Sequence, residues 1–313
     1  MEKFPQESFS QELPPENNIE KTKAESAEKN PAEVEIIALT DTHNDKKAII
    51  RNLKFHEIVD KNGEWQEGVA NLVIVHEGDI INKQNPNSEC IEYLMHLKQT
   101  APDGCFVEIQ IGNHELEYLV EHAGMQEGKK DCEMIARMSI ASHFGPVLFV
   151  HGYPTIQLLE EITKRGGIQE GVDSLNKQFQ DAASNSLSGN KDGLGYFSFE
   201  KINNTTGEKN IFRNIKPEKY YKKHGAEIVA LLKQLGIQIV VHGHSGQKKG
   251  VQIADEFKEF LPDITMINND VSVSRYKNEK KKTRLGSTKI TVVNDEEHTE
   301  AVTDIKLVNR KSS

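Results

Sequence analysis

Asp41, His43, Asp79, Asn113, His151 and His244 share one setting: each stands at or just beyond the end of a short apolar run. The runs are Val34–Leu39, Asn71–Val75, Phe106–Ile111, Val147–Val150 and Ile237–Val241. Carboxylate, amide and imidazole groups without a thiolate suit hard or borderline divalent cations, with manganese first and iron, zinc or magnesium as the other fitting ions. Any one of these residues alone reads as an ordinary turn or a hydrogen-bonded structural histidine. Five repetitions of run-then-ligand point to a cation site, and a carboxylate with two oxygens is the group able to bridge two cations.

Side chains this far apart converge only if the runs are strands of one layered framework. Lys46 to Asp60 carries Ile49, Ile50, Leu53, Ile58 and Val59 at roughly helical spacing, and helices are expected near Cys90–Leu97 and over Ala226–Leu235, with Gly236 as a stop. Late strands are expected at Ile264–Ile267 and Lys289–Val293. Apolar strands alternating with amphipathic helices define a layered α/β fold, in which ligands gather beyond the carboxyl ends of the strands. Residues 153–210 are less regular and rich in Gly, Asn and Ser, which predicts a cap or insertion beside the site within a domain over 33–295. Residues 296–313 read as a C-terminal strand or tail, and the polar, Glu- and Lys-rich residues 1–32 as a disordered N-terminal tail. The Lys277–Lys282 run reads as a solvated loop.

The 313 residues, 36% of them hydrophobic, suffice for one large domain with a buried core. A net charge of -9 argues against a nucleic-acid partner, because phosphate backbones select basic patches. There is no apolar run long enough for a membrane span and no Sec-type leader at the N-terminus. Three cysteines, Cys90, Cys105 and Cys132, form no C-x-x-C and fit a reducing compartment. A cytoplasmic protein is the default expectation.

Asp41-x-His43, Gly78-Asp79, Gly112-Asn113-His114-Glu115, His151-Gly152 and Gly243-His244 together resemble the successive signature blocks of the calcineurin-like metallophosphoesterases. The Gly-Asn-His-Glu block, and a Gly-His without a following x-His, resemble the phosphoprotein phosphatase branch. Ile211-Phe212-Arg213 and Ile267-Asn268-Asn269-Asp270-Val271 resemble its bacterial members. The resemblance covers about residues 34–293. It implies the metallophosphoesterase fold, with central β-sheets flanked by helices, and two divalent metal ions. Asp41, His43 and Asp79 would hold the first metal; Asp79, Asn113, His151 and His244 would hold the second. A hydroxide bridging the metals would attack phosphorus, His114 would protonate the leaving oxygen, and Arg213 would clamp the phosphate through its planar fork. Phosphorylated proteins or peptides are the substrates this implies, and the acidic, tailed chain would also suit a bacterial effector exported into a host cell.

The chain departs from the family pattern in three places. Thr40 and Asn44 flank the first block where glycines are usual. Asn82 and Lys83 replace an Asp-Arg pair, so the amide of Asn82 offers His114 no full charge and Lys83 loses bidentate contact with substrate. Tyr153 replaces a second Gly after His151. His242 reads as a structural residue or a support for a ligand, and Asp270 as an orienter of a ligand histidine or a loop cap. Two other functions stay open: a nucleotide phosphohydrolase such as a dinucleoside tetraphosphatase, and a degenerate module that binds phosphoproteins without turnover.

Overall fold

The computed structural model describes residues 32–82, 86–190, 194, 217–246, 251–270, 284–294 and 301–311. Strands β1 (Ala32–Leu39), β2 (Leu72–His76) and β3 (Phe106–Ile109) are parallel neighbours, and the long hairpin β9 (Arg284–Asn294) and β10 (Ala301–Lys311) extends their sheet in the order β10-β9-β1-β2-β3. A second sheet has the order β4-β5-β6-β8-β7, from β4 (Ala141–Phe144), β5 (Val147–Val150), β6 (Ile239–His242), β7 (Gln252–Ile253) and β8 (Thr265–Asn268), with β5, β6 and β8 parallel.

Successive side chains of a strand point to opposite faces, and both faces are covered here. Ile36, Ala38, Val73 and Val75 of the first sheet join Val147, Phe149, Ile239, Val241 and Ile267 of the second in one buried cluster. The sheets therefore pack face to face. The alternate residues Ile37, Leu39, Ile74, Leu148, Val150 and Val240 belong to a second, larger cluster shared with the helices. Double coverage is why these strands read as continuous apolar runs. Helices α1 (Lys46–Phe55), α2 (Glu89–Gln99), α3 (Asn113–His122) and α4 (Lys129–Ile135) follow the strands of the first sheet, and α5 (Ile156–Thr163), α6 (Ile168–Leu187) and α7 (Pro217–Gln234) those of the second.

Local chemistry sets the helix ends. Asp45 caps α1 by accepting from the Ala48 N–H at 3.0 Å, and Thr155 caps α5 through Leu158 N–H at 3.2 Å. Gly236, at φ +72°, ends α7 as expected, with the Ile237 N–H donating back to the Leu232 carbonyl at 2.8 Å. α7 begins nine residues before the expected Ala226, at Pro217, whose ring suits a first helical turn, and the added turns bury Tyr221 and Gly225. In the stretch expected to be an irregular cap, residues 156–187 are instead the regular helices α5 and α6, whose Leu159, Ile162, Leu175 and Phe179 are built into the larger core. The expected N-terminal tail (apart from Ala32) and the Lys277–Lys282 run lie outside the described residues. Among the described residues no helix is long and apolar enough to cross a membrane.

His56, just past α1, ties that helix to β9: its Nε2 meets the Ser287 hydroxyl at 2.8 Å. Burial, and then the charge of Lys289, lower its pKa from 6.5 to about 4. The unfolded chain protonates this histidine near pH 6.5 while the folded chain does not, so its stability contribution is complete above pH 6.5 and is lost as pH falls towards 4. The melting temperature should fall across that window, and His56→Gln, which keeps a hydrogen-bonding group for Ser287, should show a shallower fall. Identical slopes for the two proteins would count against this account.

Candidate metal centre

The loops after β1 and β2 run side by side. Asp41 N–H donates to the Gly78 carbonyl at 3.0 Å, His43 N–H to Asp79 at 3.0 Å and Asn44 N–H to Ile80 at 2.7 Å. Asp41, His43, Asp79 and His244 all take left-handed backbone angles, with φ between +43° and +66°. Non-glycine residues adopt this region at a cost and gather there at functional sites. Asn44, at φ +69°, belongs to one of the few residue types that tolerate it. Its Oδ1 also accepts the Asn82 N–H at 3.0 Å, so a residue standing where a glycine was expected keeps the turn and adds a tie between the two loops.

Glu115 organises the second loop. It is completely buried, and its carboxylate accepts from the backbone N–H groups of Asp79 (2.9 Å), Ile81 (2.8 Å) and Gly112 (2.8 Å). Burial, and then the charge of Asp79, raise its pKa to about 7 against the pull of these donors. In the sequence this glutamate stands only as the last residue of the Gly-Asn-His-Glu block; at the third position of α3 it forms the glutamate half of a capping box, accepting the N–H of the N-cap Gly112. Two glycines allow the close approach of the loops. A Cβ on Gly243 would land on Thr40 and Asp41, and one on Gly112 would meet Asp79 and the ring of His151.

All six residues expected as ligands meet at the carboxyl ends of the strands. His43, Asp79 and His114 form one group with ligand atoms within 4.8 Å of one another, and Asp79, His151 and His244 form another. Asp79 belongs to both. His151 Nδ1–H donates to the Glu77 carbonyl at 2.7 Å, which turns Nε2 towards Asn113 Oδ1 (3.3 Å), Asp79 Oδ1 (3.4 Å) and His244 Nδ1 (3.2 Å). Burial, and then His244, hold its pKa well below the usual histidine range. Asp41 joins the halves: Oδ1 lies 3.7 Å from His43 Nε2, and Oδ2 accepts from the His244 N–H at 2.9 Å and the Thr40 hydroxyl at 2.7 Å.

Burial raises the Asp41 pKa well above the usual carboxylate range, and the next causes are two more carboxylates, Asp270 and Asp79. Buried carboxylates that repel one another, faced by imidazole nitrogens, are a donor set that a divalent cation would relieve. The residues therefore fit the metals that the sequence implies. Asp270, whose charge weighs on Asp41, is buried, and its N–H donates to Asn268 Oδ1 at 3.0 Å. His242 is buried, donates from Nδ1 to the Gly243 carbonyl at 2.9 Å and packs its ring 4.2 Å from that of Tyr153, so it reads as structural support.

His114 stands nearer the ligands than its expected role required. Its Nε2 is 3.6 Å from Asp79 Oδ2, and its ring centroid is 4.8 Å from that of His43. Its Nδ1 faces the Ile81 carbonyl at 3.0 Å, a carbonyl that His43 Nδ1 also approaches at 3.4 Å. A main-chain oxygen thus meets the ring nitrogen for which the sequence offered only the Asn82 amide. Lys83 and Arg213, the expected substrate contacts, lie outside the described residues.

Two face-to-face sheets with oxygen and imidazole donors at their carboxyl ends, one carboxylate being shared, define a metallophosphoesterase framework. The chain belongs to the calcineurin-like phosphoesterase family, whose profile matches residues 34–248, more than half of its length. Membership indicates a phosphate-ester hydrolase that uses divalent metals. Among solved structures, a mutant of a cold-active protein tyrosine phosphatase aligns with TM-score 0.56 at 19% identity, covering 87% of this chain and 80% of its own. The cold-active protein-tyrosine phosphatase of a psychrophilic Shewanella species aligns with TM-score 0.50 at 19% identity, with the same coverage. At this identity the likeness is one of fold. No curated protein matches the chain.

Proposed function

We propose that the protein is a metal-dependent phosphoprotein phosphatase that hydrolyses phosphomonoesters on protein side chains. The observation that carries this reading is the sharing of Asp79 between two ligand groups. Asp41, His43 and Asp79 would hold one divalent cation, and Asp79, Asn113, His151 and His244 a second. When bound, such a pair supplies a nucleophile from water at neutral pH and neutralises the charge of the phosphoryl group.

The chain's own residues supply the rest. Asp41, Asp79, Asn113 and His151 are buried, whereas the side chains of His43 and His114 are 13% and 21% exposed. Substrate therefore approaches over these two rings. Glu115 and the Ile81 carbonyl fix both loops from behind, so little reorganisation accompanies binding. With Nδ1 of His114 against the Ile81 carbonyl, Nε2 is the ring atom left to carry the proton that the leaving alkoxide or phenoxide would take as the P–O bond breaks.

The test is turnover by the full-length protein with Mn²⁺ on an aryl phosphate, on phosphotyrosine, phosphoserine and phosphothreonine peptides, and on diadenosine tetraphosphate. Phosphotyrosine comes first because the two aligned structures described above are protein tyrosine phosphatases. Hydrolysis of phosphopeptides with little action on the dinucleotide supports the proposal. The reverse preference would replace it with a nucleotide hydrolase, and cation uptake without turnover of any ester would replace it with a binding module.

A further inference from the structure

Gln110 lies just past β3, three residues before Asn113, and is completely buried. Its Nε2 donates to the Ser142 hydroxyl on β4 at 2.9 Å and to the Phe149 carbonyl on β5 at 2.9 Å. Since β3 belongs to the first sheet and β4 and β5 to the second, this one amide crosses from sheet to sheet. Main-chain bonds reinforce the same junction: Ser139 N–H donates to Ile109 at 3.0 Å, and Ile111 N–H to Ser139 at 2.8 Å. The Phe149 carbonyl requires a donor, which settles how the amide is turned and leaves Oε1 without a hydrogen-bond partner among the described residues. A buried amide oxygen left unpaired is costly, so packing alone would favour an apolar residue here.

The two strand ends that Gln110 joins carry ligands. Phe149 is two residues before His151, and Asn113 Oδ1 lies 3.3 Å from His151 Nε2. Between them the fit is close: a Cβ on Gly112 would lie 2.9 Å from Cε1 of His151. A small slip of β3 against β5 would therefore part Asn113 from His151 or drive the Gly112 backbone into the ring.

We propose that Gln110 is a positioning residue whose amide sets the spacing of the β3 and β5 ends, and through it the geometry in which Asn113 and His151 take a cation with Asp79 and His244. The inference rests on the two-cation reading above. Gln110→Met keeps the length of the side chain and removes its donor. In Mn²⁺ titrations of the full-length protein by calorimetry, wild type should take up two cations. The variant should bind one of them about tenfold more weakly, as loss of a group supporting metal ligands does, with the other affinity unchanged.

A role in stability alone would lower the melting temperature of the metal-free variant and leave both affinities as in wild type; that result overturns the proposal. Wild type that takes up fewer than two cations would overturn the two-cation reading itself. Where Gln110→Met does not fold, Ser142→Ala decides, since it removes one of the two acceptors. Weakening of one cation supports the proposal, and unchanged affinities overturn it.

Discussion

Asp79→Asn should lower phosphatase turnover by at least about 10³-fold while leaving the fold intact, because losing a cation removes several kcal/mol of charge stabilisation. The geometry says which cation is lost. Asp79 Oδ1 accepts the His114 N–H at 2.9 Å and lies 3.4 Å from His151, so the amide oxygen of an asparagine will take that place. Its NH₂ then occupies the position of Oδ2, 3.6 Å from His114 Nε2, and offers a cation no lone pair. The group of Asp79, His151 and His244 keeps its oxygen, whereas that of His43, Asp79 and His114 does not. One Mn²⁺ per chain is expected by calorimetry. The metal-free variant should melt no lower than wild type, because the charge of Asp79 repels Asp41. Two bound cations with wild-type turnover would sink the assignment of Asp79 as the shared ligand.

His114→Gln should divide substrates by their leaving groups. If Nε2 protonates the leaving oxygen, a phosphoserine peptide, whose alkoxide is a poor leaving group, should lose about 10²- to 10⁴-fold in kcat. A nitrophenyl phosphate, whose phenoxide leaves without a proton, should lose much less. Cation stoichiometry should stay as in wild type. The closeness of His114 to His43 and Asp79 makes this a sharp test. A histidine acting as a ligand would instead lose a cation on substitution and slow both esters alike.

The sequence shows its strands clearly, and for a physical reason. Coverage on both faces makes Ile36 to Leu39 and Val147 to Val150 apolar at every position, a pattern visible over a few residues. The ligands were legible because each strand hands the chain to the same end of the framework. Glu115 was harder to see, since a capping glutamate and a catalytic-loop brace look alike until Asp79 and Ile81 are found on its oxygens. The hairpin β9–β10 was only half visible. Its pairing with β1 joins residues such as Ile36 and Ile290 that lie far apart in the chain, and no local pattern encodes that register. The helices α5 and α6 were hidden by Gly-, Asn- and Ser-rich neighbours, which lower helix propensity without preventing burial of an apolar stripe.

The candidate metal centre divides along the same line. The types of its six donors, their order and their places after apolar runs are properties of the sequence, because ligand chemistry and strand periodicity are local. That Asp79 serves two groups, that Asp41 spans them and that four ligand residues are held in left-handed backbone are decided by tertiary structure. Those facts depend on how two sheets meet, and on bonds such as those of Gln110 and Glu115 whose partners lie tens of residues away.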